Sequence, residues 1–311
     1  MTKRYATILV LLGGLLGGLV GEGRPTTAAE ARADSKPRIA VISAFAPELT
    51  ALQAETKVER KLAINGVEFT LGKLAGKDVV LFLSGISMVN AAMNAQLVLD
   101  RFNVRDIVFS GIAGGVNPAL NVGDVVVAKQ WGQYLQADFA RKVGNGYRLP
   151  LGDKKVFDNF EFIFPQPVTV RTAKSPEGET RFWFPVDKKA LAVASKVKGK
   201  IESKLKRCTA ANECLAQAPK FVVGGNGVSG MAFVDNKAFR EYTFKTFKAN
   251  VLDEESAAVA TVAYVNAKPF VAFRSLSDLA GGGSGENQLP VFFQLAADNS
   301  AAAVVTFLQS W

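Results

Sequence analysis

The 311-residue sequence contains no histidine. That absence removes histidine-based nucleophilic triads and histidine metal sites, so acid and base chemistry must fall to carboxylates. Cysteine is nearly absent: only Cys208 and Cys214 occur, close together. In an oxidising compartment such a pair can close a small loop; the alternative is two unrelated thiols. No cysteine directly follows the apolar run near the amino terminus, so no lipoprotein attachment site is expected. Internal repeats are missing, which excludes solenoid and propeller arrays. With 49% hydrophobic and 21% charged residues, the composition is that of a packed globular protein and excludes a disordered or fibrous one.

What is present begins with a basic start, Lys3 and Arg4, then an uncharged Leu/Gly-rich run over 6–21 and a small-residue stretch over 26–33. That is the order of a secretory signal peptide, and the run is short for the ~20 apolar residues of a membrane span. Residues 1–33 are therefore expected to be a cleaved leader, with cleavage near Ala31 or Ala33. The mature protein is expected to be exported, periplasmic or secreted, with no stable membrane insertion. The formal charge is +9, yet the cations are dispersed, and their densest cluster, 196–207, reads as a solvated helix face. No nucleic-acid surface is expected.

Residues 34–311 read as one α/β domain with a mixed, largely parallel central sheet flanked by helices. Short apolar runs at 38–44, 79–85 and 105–111 read as buried strands, with a helix over 87–102 between the second and third. A further strand is expected at 123–128. Between 134 and 185 the pattern loosens into an irregular insertion with room for one hairpin. Beyond it come a helix over 186–207, a strand at 220–224, a helix over 236–248, and a strand at 250–253. A helix over 255–265, a strand at 270–275, a flexible loop at 281–286 and an Ala-rich closing helix over 290–311 complete the pattern.

In open α/β sheets ligands bind beyond the carboxyl ends of the strands. Those ends carry Glu48, Ser84 with Gly85, the turn Ala113-Gly114-Gly115, Asp253-Glu254-Glu255, and Ser277 with Asp278. Carboxylates recur there at three separate places. Cleavage of a glycosidic bond needs such a set: a base to activate water, an acid to neutralise the leaving group, and negative charge or hydrogen bonds for an oxocarbenium-like sugar.

The residues also resemble a known family. Arg38-Ile39-Ala40-Val41-Ile42-Ser43-Ala44-Phe45-Ala46-Pro47-Glu48-Leu49 resembles the opening of methylthioadenosine/S-adenosylhomocysteine nucleosidases, within the nucleoside phosphorylase superfamily. Ser84-Gly85-Ile86-Ser87-Met88-Val89-Asn90-Ala91-Ala92 is similar to their SGIGxVxAA segment. Ser110-Gly111-Ile112-Ala113-Gly114-Gly115 with Val122-Gly123-Asp124-Val125-Val126 resembles their GxAGG and xGDxVV pair. Ser229-Gly230-Met231-Ala232-Phe233-Val234 looks like SGDAFI, Leu252-Asp253-Glu254-Glu255-Ser256-Ala257-Ala258 like VEMEAxA, and Arg274-Ser275-Leu276-Ser277-Asp278-Leu279-Ala280 like RxISDxA.

The resemblance implies a nucleoside phosphorylase-like fold, hydrolysis of the N-glycosidic bond of a purine nucleoside, no cofactor and no metal, and a homodimer. It implies that Glu48 activates water while Asp278 protonates the purine and that Glu255 binds ribose hydroxyls. Phe233 would stack on the base, Val234 would read its edge, and Ser84 with Gly85 would border the ribose and water site. Two departures stand out: Glu254 replaces the family's methionine, and Met231 replaces its aspartate. A phosphorylase would need arginines for a phosphate dianion, and none occurs in 43–54 or 82–92. The remaining alternative is an exported non-catalytic binding or storage protein.

Overall fold

The computed structural model describes residues 32–150, 154–283 and 285–311. The expected leader lies outside them except for Arg32 and Ala33. The chain runs β1 (Asp34–Ser43), α1 (Ala46–Ala54), β2 (Lys57–Ile64), β3 (Val67–Leu74), β4 (Lys77–Leu83), α2 (Met88–Arg101) and β5 (Phe102–Gly115). Then come β6 (Val125–Val127), β7 (Gln130–Gln133), β8 (Ala137–Phe139), β9 (Arg141–Val143), β10 (Gly146–Arg148), β11 (Ile163–Pro165), β12 (Val168–Thr172), β13 (Ser175–Arg181) and β14 (Trp183–Pro185). The last part holds α3 (Lys188–Lys196), α4 (Lys198–Glu202), β15 (Phe221–Val223), β16 (Asn226–Ser229), α5 (Lys237–Phe247), β17 (Ala249–Asp253), α6 (Ser256–Val265), β18 (Phe270–Asp278) and α7 (Leu289–Ser310).

One large mixed sheet carries the fold, in the order β14-β7-β16-β17-β5-β1-β4-β3-β2, with β18 bridging β5 and β6, and β15 beside β6. The strands expected at 38–44, 79–85, 105–111 and 270–275 lie in its middle, while the one expected at 220–224 is an edge strand beside β6. β1 pairs in parallel with both β4 and β5, and β18 runs parallel to β5. Every residue of β18 is buried, as is β1 from Arg38 onward. A strand covered on both faces reads as a continuous apolar run without alternation, so these segments were legible. The outermost strand, β2, is the opposite case: Lys57, Glu59, Arg60 and Lys61 leave it mostly exposed, as suits an edge. The hairpin it forms with β3 adds to the sequence expectation. It turns at Asn65-Gly66, both at positive φ, the pair a tight two-residue hairpin turn needs.

Two expectations need correction. The segment 134–185 is more regular than an irregular excursion with one hairpin: β8 pairs with β11, β9 with β10 and β12 with β13, and β14 joins the edge of the main sheet beside β7. Its strands are mostly of three residues, too short to show a period. The helix expected over 186–207 is two shorter ones, α3 and α4, broken at Val197, and it ends at Glu202. Closure of the Cys208–Cys214 disulfide follows that break.

The closing helix α7 is long and apolar enough to cross a membrane, but 72% of its apolar window is buried inside the fold, so it is a core helix. Its buried Ser300 hydroxyl holds the sheet directly under the strand ends. It accepts from the Gly111 N–H at 3.0 Å, donates to the Phe273 carbonyl at 2.9 Å and meets the Ser110 hydroxyl at 2.9 Å. Buried hydroxyls with full partners fix one packing register between helix and strands.

Candidate active site

A cavity of about 370 Å3 opens where β1, β5, β17 and β18 end. Its wall includes Glu48, Ile112, Phe233, Val234, Glu254, Glu255, Arg274, Ser277 and Asp278. Glu48, Phe233, Val234, Glu254, Glu255, Ser277 and Asp278, all singled out from the sequence, are therefore gathered in one place. Ser84 and Gly85 do not line this cavity. Ser84 is fully buried, with its hydroxyl donating to the Gly85 carbonyl at 2.9 Å and its own carbonyl accepting from Asn94 at 2.7 Å. The turn they make instead brings Ile86 to the wall and aims the Ser87 N–H at Glu255.

Glu48 sits in the first turn of α1, just after Pro47, where the positive helix end and free backbone N–H groups favour a carboxylate. It is 1% exposed. One oxygen accepts the N–H of Ala44 at 2.7 Å and of Phe45 at 3.4 Å, and the other accepts Ile112 at 2.7 Å. Burial pushes its pKa up, while the charge of Arg274 and these three N–H groups pull against that shift.

Arg274 is the residue that sequence reasoning passed over. It is 0% exposed, stacks over Phe109 at 4.2 Å, and stands among three carboxylates. Its Nη2 donates to Glu255 at 3.2 Å, its Nε lies 2.8 Å from Asp253, and its Nη1 is 3.9 Å from Glu48. Nε also donates to Ser256 Oγ at 2.9 Å and Nη1 to the Ile112 carbonyl at 3.0 Å, so the guanidinium is committed on every side. The three carboxylates outweigh its burial and hold its pKa above the ordinary value. Gly111 makes this approach possible. A β-carbon there would fall 2.4 Å from Arg274 Nη1 and 2.7 Å from Glu48 Oε1. The signal was available in the sequence: an arginine inside an otherwise apolar buried strand, four residues before Asp278.

Glu255 is held from the other side by the Ser87 N–H at 3.0 Å. Burial raises its pKa to about 7, opposed by Arg274 and reinforced by Asp253 and Glu48. Ser87 itself has φ 88 and ψ 154, a region that only glycine enters freely, where the resembled motif has glycine. Asp253 is anchored by the Ser229 hydroxyl at 2.5 Å and by the Glu255 and Ser256 N–H groups, both at 3.1 Å.

Asp278 ends β18 without a cation beside it among the described residues. Its carboxylate accepts the Ala280 N–H at 2.7 Å and the Ser277 hydroxyl at 3.0 Å. Burial raises its pKa; hydrogen bonding from Ala280, Ser277 and the Asn287 side chain only partly offsets the shift, and the charge of Asp235 adds to it. Phe233 stands at the cavity mouth, 58% exposed, while Val234 is buried. Ile86, Val89, Met93 and Met231 are also exposed.

The family model of the phosphorylase superfamily matches residues 38–309. The chain belongs to the phosphorylase superfamily. It is 31% identical to a 5'-methylthioadenosine/S-adenosylhomocysteine nucleosidase of Bacillus licheniformis, over 88% of this chain and 98% of that one. It is 30% identical to bark storage protein A of Populus deltoides, over 79% of this chain and 78% of that one. Among solved structures, the Helicobacter pylori nucleosidase holding 5'-methylthioadenosine in its active site superposes with TM-score 0.66 at 21% identity, over 88% of this chain and 99% of that one. The futalosine hydrolase of the same organism superposes with TM-score 0.65 at 20% identity, covering 88% and 98%. These likenesses support the mixed α/β fold read from the sequence.

Proposed function

We propose that this protein is a purine nucleosidase that hydrolyses the N-glycosidic bond of purine nucleosides, the class that includes methylthioadenosine, S-adenosylhomocysteine, adenosine and inosine. The observation that carries the reading is the charge of the cavity. Five carboxylates, of Glu48, Asp253, Glu254, Glu255 and Asp278, line it against one guanidinium, Arg274, already committed to three of them. A phosphate dianion would have to enter that field with no free bidentate cation on the cavity wall among the described residues, whereas neutral water is not penalised. Water is thus favoured over phosphate as the nucleophile.

In the proposed mechanism Asp278, with its raised pKa, delivers a proton to the purine and makes it a competent leaving group. Glu255 holds the ribose hydroxyls. Glu48 orients and deprotonates the water that captures the oxocarbenium-like sugar. Phe233 stacks on the base, and Val234 presents backbone to its edge. Ser84 and Gly85 act through the turn that sets the Ser87 N–H on Glu255. We place the mature chain outside the cytoplasm, in keeping with the leader-like start at 1–33 and the closed disulfide. The Ala33 N–H donates to the Arg101 carbonyl at 2.7 Å, which favours cleavage nearer Ala31. The exposed apolar side chains of Ile86 and Phe233 on the cavity wall support a homodimer that covers them.

The test is purine release from methylthioadenosine, S-adenosylhomocysteine, adenosine and inosine in phosphate-free buffer, by the wild-type chain and by Glu48→Gln. Release that disappears in the variant is the expected result. Strict dependence on added phosphate would make the protein a phosphorylase. Binding without any cleavage would favour a storage role of the kind named for the poplar relative.

A further inference from the structure

Glu254 differs from every other carboxylate in the cavity wall. Glu48 accepts three N–H groups, Asp253 accepts two and a hydroxyl, Glu255 accepts an N–H and the guanidinium, and Asp278 accepts an N–H and a hydroxyl. Glu254 is half-buried, lines the same cavity, and makes no hydrogen bond or ion pair within the described residues. The shortage of donors extends to its neighbour: Asp253 Oδ2 is buried without a hydrogen bond, although Arg274 Nε lies at ion-pair distance. Arg274 is the only cation in the wall among the described residues, and its donors are taken.

A carboxylate drawn partly out of water with no donor in return destabilises the fold. Its position on a cavity wall means that a bound molecule can supply what the protein does not. Glu254 directly precedes Glu255, the proposed holder of the ribose hydroxyls, while Asp278 and Ser277 belong to the purine end. With the ring hydroxyls served by Glu255, the remaining substituent at the sugar end is the one on the 5' carbon. The resembled family pattern has methionine at this position, an uncharged side chain that cannot accept a strong hydrogen bond.

We infer that Glu254 determines substrate class. It accepts a hydrogen bond from the 5' substituent, so that the site favours nucleosides with a 5'-hydroxyl or 5'-ammonium group over those with an apolar 5'-thioether, and rejects 5'-phosphates. This rests on the nucleosidase reading of the same cavity and narrows it. A hydrogen bond to a charged acceptor, set against an unpartnered one, corresponds to a preference of about 10- to 100-fold.

The experiment measures calorimetric Kd values for adenosine, 5'-amino-5'-deoxyadenosine, 5'-deoxyadenosine and methylthioadenosine. It uses the Glu48→Gln chain, with and without Glu254→Met or Glu254→Gln. Wild-type kcat/KM values are taken in parallel. The two donor-bearing nucleosides are expected to bind at least about 10-fold more tightly than the other two. Glu254→Met should abolish or invert that ratio, and Glu254→Gln should keep the hydroxyl preference while losing the ammonium one. The same ratio with and without Glu254, or a preference for methylthioadenosine while Glu254 is present, overturns the inference. Failure of the nucleosidase reading shows separately, as no purine release by the wild-type chain while the Kd ratios still respond to Glu254. Binding of none of the four nucleosides overturns both.

Discussion

The two ends of the cavity treat the same functional group in opposite ways. At one end Glu48, Asp253 and Glu255 surround a single buried guanidinium, and backbone N–H groups also donate to each of them. At the other, Asp278 is met by the Ala280 N–H, the Ser277 hydroxyl and the Asn287 side chain, with no cation beside it among the described residues. Burial raises the pKa of carboxyls at both ends, but only the first end has a fixed positive charge working against it. The difference teaches how one residue type can serve as base and acid in a site without histidine. A cation and several donors work against the rise that burial imposes and pull a carboxyl back toward the ionised form that takes a proton. A dry position without a cation leaves that rise less opposed and suits the protonated form that gives one.

The sharpest way to break the comparison is Asp278→Asn. It removes the transferable proton while leaving an oxygen to accept the Ala280 N–H. Purine release should fall by about 10^3-fold or more with Tm nearly unchanged. A variant that keeps near-wild-type turnover would mean that the end without a cation is not the acid. At the other end, Arg274→Met leaves three buried carboxylates without their shared cation. It should cost about 3–5 kcal/mol in denaturant unfolding, the range for a buried charge stripped of its partner. An unchanged midpoint would show that the carboxylates there are already neutral.

A smaller effect separates the ends by pH. Glu255 titrates at about 7 in the folded chain against an ordinary 4.5. The folded state therefore holds that proton more tightly than the unfolded one. The associated stability is present below pH 4.5 and is lost as pH rises toward 7. Across that window the wild-type chain should lose on the order of 2 kcal/mol relative to Glu255→Gln, read as a Tm difference that narrows or reverses with rising pH. Parallel Tm curves would contradict the assignment. The smallest effect belongs to Ser87→Gly, which relieves a backbone conformation suited to glycine and keeps the N–H that holds Glu255. It should raise stability by about 1 kcal/mol with activity retained, and a loss of stability would show that the Ser87 side chain has a role of its own.

Much of this comparison was legible in the sequence, because its carriers sit at the ends of continuous apolar runs. Glu48, Asp253 and Asp278 follow buried strands, so the rule that ligands lie beyond strand ends found both ends of the cavity. What sequence reading passed over were relations that depend on three dimensions. Arg274 lies inside β18, where an inward charge makes sense only once Glu48, Asp253 and Glu255 are seen to converge on it from α1, β17 and the start of α6. Gly111 read as the end of a buried strand, and its consequence is the room it leaves for Arg274 and Glu48. The short strands between 134 and 185 carried too few residues to show alternation, and the break at Val197 is hidden in a helix-like composition of lysine and alanine.

The central claim is that this carboxylate-lined cavity delivers water, and not phosphate, to the sugar of a purine nucleoside. The most direct measurement is a turnover experiment in oxygen-18-labelled water with phosphate present in excess, followed by mass spectrometry of the sugar product. The account predicts free sugar carrying one labelled oxygen at its anomeric carbon. Unlabelled sugar 1-phosphate would contradict it.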